Sequence, residues 1–185
     1  MDFPPQDIQD LVNEIASILR SRNETLAISE AACGGLLLAY LISVPGASNF
    51  YIGGKLVYST RQRLKLSGWT DEEISHYVGP SEQVALKLAR TTKYELGSTY
   101  VLSETGFAGP SKDLHLSGKN DITDHELDPD HSGAIGGVGT VYLGLTGPNG
   151  ESSSTKRTGS ISRSVNMTEF AHLGLQFLLT ELKKL

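Results

Sequence analysis

One cysteine, one tryptophan and no long apolar run distinguish this chain of 185 residues. With Cys33 alone there is neither an internal disulfide nor a metal cage of cysteines, which agrees with a reducing compartment. No segment reaches the ~18 consecutive apolar residues of a membrane-spanning helix. The start, Met1-Asp2-Phe3-Pro4-Pro5, has no basic and apolar regions of a signal peptide, so the expectation is a cytoplasmic protein without a membrane partner. A net charge of −5 with no basic stripe argues against nucleic acid as a partner. What remains, 38% apolar and 20% charged, is the composition of one globular domain with one core, residues 1–185.

The charge is unevenly placed. Ser111 to Gly136 carries two Lys and six Asp or Glu, and so most of the net negative charge. This stretch is far longer than an ordinary connection in a compact domain and reads as an acidic loop insertion. It holds His115, His125 and His131 among Asp121, Asp124, Glu126, Asp128 and Asp130. Those donor types suit zinc or another divalent ion, but their spacing fits no helical ligand pair, so no metal site is assigned and a solvated acidic loop is the simpler reading.

Elsewhere the pattern alternates. Ile8, Leu11, Val12, Ile15, Ile18 and Leu19 recur at helical spacing and predict an amphipathic helix over Gln6 to Ser21 that packs on a sheet. Strands are expected at about Thr25 to Ser29, Leu56 to Tyr58, Thr99 to Ser103, Gly139 to Leu145 and Ser152 to Arg157. Thr70-Asp71-Glu72-Glu73 is a capping-box candidate, and Ser81 is a cap for a helix reaching Leu96-Gly97. A final helix from about Arg163 to Leu185 should turn Val165, Phe170, Leu173, Phe177, Leu178, Leu182 and Leu185 inward. Strands alternating with helices indicate an α/β layer structure.

The stretch most able to bind a ligand is Leu26-Ala27-Ile28-Ser29-Glu30-Ala31-Ala32-Cys33-Gly34-Gly35, followed by an apolar run. It reads as a buried strand, a tight turn and a helix start. Small residues admit a ligand close to the backbone, and unpaired N–H groups of a helix's first turn favour anions. The same pattern also makes a close packing joint. Glu30 either positions a substrate amide or bonds the turn's own N–H groups.

These residues resemble the A-E-S-C-T-G-G signature of the CinA C-terminal-domain family, whose characterised enzymes are nicotinamide mononucleotide deamidases. Further resemblances follow in order. Tyr58-Ser59-Thr60-Arg61-Gln62-Arg63 is similar to Y-S-N-x-x-K, and Val78-Gly79-Pro80-Ser81 to G-A-V-S one residue out of phase. Thr105-Gly106-Phe107-Ala108-Gly109-Pro110 is similar to S-G-I-A-G-P, and Gly137 to Leu145 to P-V-G-T-V-W-I-G-L. The resemblance implies a three-layer α/β/α sandwich with a mixed sheet, a homo-oligomer, no cofactor, and a pyridine mononucleotide or similar ligand held by Glu30, Gly34, Gly35, Tyr58, Ser59, Gly106, Gly109 and Arg163. Family members carry a G-D-R-x-x-V-R approach to the last helix. Here Gly159 to Asn166 retains one arginine, leaving Arg157 and Arg163 as phosphate candidates.

By the same resemblance the family's nucleophilic Ser falls on Ala31 and its partner Lys on Arg63. Ala has no nucleophile, and a guanidinium stays protonated where a neutral amine is required. Cys33 is the candidate substitute, because a helix amino terminus lowers a thiol's pKa; a small buried hydrophobe is the plain reading. Ser29 lies roughly 6–7 Å along the strand from the nucleophile position, too far for the same bound pose. The readings that result are a non-catalytic member that binds a ligand or partner, an amide hydrolase working through Cys33, Glu30 and Tyr58, and a metal site built by the insertion. Trp69 reads as core or interface.

Overall fold

The computed structural model describes residues 3–111 and 137–184. The acidic stretch with its three histidines, and Leu185, lie outside the described residues. In chain order the elements are α1 (Gln6–Ser21), β1 (Leu26–Glu30), α2 (Leu36–Ile42), a 3₁₀ turn (Ala47–Asn49), β2 (Tyr51–Leu56), α3 (Thr60–Leu66), α4 (Asp71–Ser75), α5 (Glu82–Leu96), β3 (Tyr100–Phe107), β4 (Thr140–Gly147), β5 (Gly150–Arg157) and α6 (Arg163–Leu182).

The five strands form one mixed sheet in the order β2-β1-β3-β4-β5. β1 runs parallel to both neighbours, whereas β4 and β5 are antiparallel. Every residue of β1 is buried, as expected of a central strand covered on both faces. Leu26 and Ile28 join the large core under α1, α2 and α6, with Leu102, Val141, Leu143 and Phe170. Ala27 turns the other way, onto Val101 and Ala89 of α5. Small residues let α5 lie close there: a side chain at Gly144 would put its Cβ 2.7 Å from the Ala85 carbonyl carbon. Helices therefore cover both faces, in the three-layer arrangement.

Three details differ from the periodicity. α1 has the expected bounds but lies against α6 and α2 as well as closing the core. The second strand is Tyr51–Leu56, so Gly53 and Gly54 are inside it and Tyr58 is beyond it. The reason is close approach: a Cβ at Gly54 would sit 2.6 Å from the Ile28 carbonyl oxygen. Glycines that look like a strand boundary are what allow β2 to pair with β1. At the other end of the chain, Val165 is 45% exposed and does not face inward as its spacing suggested.

Both expected caps are present. Thr70 accepts from the Glu73 amide while Glu73 accepts from the Thr70 amide, and Ser81 accepts from Val84. Phe170 is fully buried between α6 and the sheet. Phe170→Ala should cost about 3–5 kcal/mol, read as a lower denaturant midpoint with an unchanged slope.

Candidate functional site

β1 and β3 end side by side at the point where the sheet changes from parallel to antiparallel, and the turn after β1 opens there. Crevices at such positions are the usual ligand sites of α/β sheets. Gly34 and Gly35 both have positive φ, 69° and 102°, which lets the chain reverse between strand and helix. Gly34 is exposed, with Met167 of α6 beside it, and Gly35 lies beside Leu56.

The turn's donors are already engaged. Glu30 Oε1 accepts from Gly35 N at 2.8 Å and Leu37 N at 3.1 Å, and Oε2 accepts from Leu38 N at 3.2 Å. Glu104 of β3 reaches the other half, where its Oε2 accepts from Ala31 N and Cys33 N, each at 3.1 Å. The expectation that the helix start offers unpaired amides to an anion is corrected: two internal carboxyl groups take them. Glu30 follows the second of its two readings.

Burial sets the electrostatics. It pushes the Glu30 carboxyl up to about 7, with Glu104 adding in the same direction and the three amide bonds opposing. Burial likewise raises Glu104, opposed by its bonds from Cys33 and Ala31 and by the Arg63 guanidinium. Arg63 is itself 7% exposed, its Nε without a hydrogen-bond partner among the described residues. It also faces Tyr77, whose hydroxyl burial raises and Arg63 lowers. Tyr77 lines an open cleft of about 580 Å³ with Trp69, His76, Val78, Pro80 and Val84. In that cleft Trp69 is half-buried, with Lys87 Nζ 4.0 Å from its ring centroid.

Cys33 requires a second correction. It is wholly buried, and burial, then Glu104 and Glu30, push its thiol well up, so the depression expected at a helix amino terminus does not occur. Ser29 pairs in register with Ser103 and is buried on the α5 side, below the turn.

A third group closes the outer end. Arg163, first residue of α6, donates to the Gly109 carbonyl and to the Tyr58 hydroxyl, both at 2.6 Å. Tyr58 is 66% exposed, in the β2–α3 connection and not in the strand expected at Leu56 to Tyr58. Ser59 is the cap position of α3 but makes no side-chain capping bond. Buried Asn166 donates to the Ala108 and Ser160 carbonyls, fixing both approaches to Arg163. Gly106 serves packing, since a Cβ there would meet the Thr140 carbonyl oxygen at 2.4 Å. Arg157, at the end of β5, acts on Tyr142.

Residues 8–119 match the family described as CinA C-terminal domain. The chain belongs to that family. A CinA-like protein of Synechocystis sp. is 34% identical over 154 residues, covering 83% of this chain and 32% of the relative. One from Nostoc sp. is 33% identical over 156 residues, covering 84% and 32%. The chain thus spans about a third of the length of these curated relatives. Among solved structures, the competence/damage inducible protein CihA from Agrobacterium tumefaciens superposes with a TM-score of 0.80 at 23% identity, covering 99% of both chains. A competence-damaged protein (CinA) superfamily protein from Enterobacter cloacae gives 0.77 at 19%, covering 95% of this chain and 92% of the other. These two likenesses establish the fold.

In this CinA C-terminal domain the residue that sequence reading missed is Glu104. Its signal is a lone carboxylate inside the buried run Tyr100-Val101-Leu102-Ser103-Glu104-Thr105. Position alone does not say what it touches.

A carboxyl whose pKa is raised by folding holds its proton more tightly in the native state than in the unfolded chain. The native state then binds the extra proton between the unfolded value, near 4.5, and about 7, so Glu30's contribution to stability falls as pH rises through that window. Burial, then Glu104, set the size of the effect, and Cys33 and Tyr51 are near enough to feel the Glu30 charge. The domain should lose roughly 1–3 kcal/mol of stability between pH 5 and pH 8, and Glu30→Gln should flatten that slope in urea unfolding.

Proposed function

We propose that this CinA C-terminal domain binds a ligand or partner on the family scaffold without hydrolysing an amide. The observation that carries the proposal is the state of Arg63, a buried guanidinium facing Glu104 and Tyr77 at the position where the family resemblance puts a basic Lys. A guanidinium cannot accept the proton of a nucleophile. Ala31 is 2% exposed and offers only a methyl group, and its amide is engaged by Glu104.

The ligand the resemblance suggests is a pyridine mononucleotide or a similar small molecule. Tyr58 and Arg163, exposed or half-buried beside Gly109, supply an aromatic face and a cation near the turn for it. Each Arg163 terminal nitrogen keeps a second N–H beyond the bond it makes here. Self-association belongs to the same proposal. Leu56, Tyr58, Ile161 and Val165 leave apolar surface exposed on the β2–α3 and α6 approaches to the site. The hydrolase alternative through Cys33 meets a thiol that is buried and raised.

Ammonia release from nicotinamide mononucleotide decides between the readings. The unmodified domain and Cys33→Ala should both show none above background. Turnover that vanishes in Cys33→Ala would replace the proposal with a relocated nucleophile, and turnover that persists in Cys33→Ala would also end it. Titration of the same compound by calorimetry should give a measurable Kd, weakened about tenfold in Arg163→Ala, the loss of roughly one charge-assisted bond.

A further inference from the structure

Glu104 does something that neither strand pairing nor the core requires. Its Oε2 is the single acceptor for two backbone amides, Ala31 N and Cys33 N, from a turn more than seventy residues away in sequence. Alternate amides converging on one oxygen form the kind of concave donor set that holds oxyanions. The charge of a buried cation, Arg63, also bears on Glu104, and the Arg63 Nε has no hydrogen-bond partner among the described residues. Glu104 Oε1 is buried and, among the described residues, equally unpartnered. A carboxyl group taken wholly out of water is costly unless its surroundings replace that water, and here the replacement is an anion-site geometry rather than a finished salt bridge.

We propose that Glu104 is a resident ligand mimic: its carboxyl group fills an oxyanion site made by the Ala31 and Cys33 amides and the Arg63 guanidinium, and holds the turn in its bound form. The site takes a small carboxylate, of the size of formate or acetate, once the Glu104 side chain is cut back. In the intact chain it is closed to external anions and to carbonyl oxygens, so the turn is ordered without any ligand. The inference concerns the turn's donors alone and stands whether or not the domain hydrolyses an amide.

Truncation with chemical rescue tests it. Melting of the full chain is followed in sodium formate against sodium chloride of equal ionic strength, for the unmodified protein, Glu104→Ala and Glu104→Thr. Thr is included because it suits a strand and keeps the fold where Ala weakens it. The unmodified protein should respond alike to the two salts. The truncated proteins should melt lower and gain about 5 °C or more, saturably, in formate alone. Adding Arg63→Met to either should abolish that gain, and hydrogen exchange at Ala31 and Cys33 should slow in formate. Equal responses to formate and chloride in both truncated proteins overturn the proposal. So does a formate gain that survives Arg63→Met, or one shared by the unmodified protein. Failure of both truncated proteins to melt cooperatively at every formate concentration overturns it too, because an anion of that size should stand in for the lost group.

Discussion

The turn between β1 and α2 is held by two buried carboxyl groups, and the rest of the site is arranged around that constraint. Five of its backbone amides, from Ala31 to Leu38, donate to Glu30 or Glu104. Leaving such amides unpaired in the interior costs more than the pairing returns, so the turn's form is inseparable from the two acids. The sheet brings them together. β1 lies between β2 and β3, with Ile28 opposite Leu102 and Ser29 opposite Ser103, so the next residues of the two parallel strands are both glutamates on the core face. Burial raises both groups, Glu104 pushes Glu30 further up, and the Arg63 guanidinium opposes the rise at Glu104.

That arrangement separates scaffold from chemistry. The overall fold is that of the CinA superfamily structures it resembles. An Arg63 buried among Glu104 and Tyr77 serves electrostatic balance, a task for which permanent charge is an advantage, whereas proton transfer needs a group that can give its charge up. The outer clamp of Tyr58, Gly109 and Arg163 is independent of that balance and stays near the surface.

Much of the fold was legible before any coordinates. The α1 stripe, both helix caps and the β4–β5 pair follow from local period and turn chemistry, which the chain carries in contiguous residues. The second strand was not, because Gly53-Gly54 signals a break unless the carbonyl of Ile28 is known to pass 2.6 Å from where a side chain would be. At the site, Glu30, Arg163, Tyr58 and the glycines were visible as residue types in a recognisable order. For Cys33 two readings stayed open, a low-pKa thiol and a buried hydrophobe, because a helix amino terminus and full burial act on a thiol in opposite directions and only the packing says which is larger. Glu104 went unread because a buried acid in a strand has no local pattern that names its partners.

By itself, then, the amino-acid order determined most of the helices and strands, and that positions 31 and 63 hold a methyl group and a permanent cation. Those are properties of single residues and short periods. Tertiary structure alone decided that the turn's amides are occupied from within, that Arg63 is a buried counter-charge, and that the thiol is buried with its pKa raised. Each of these depends on a contact between segments far apart in the chain, and on the low polarity that their packing creates.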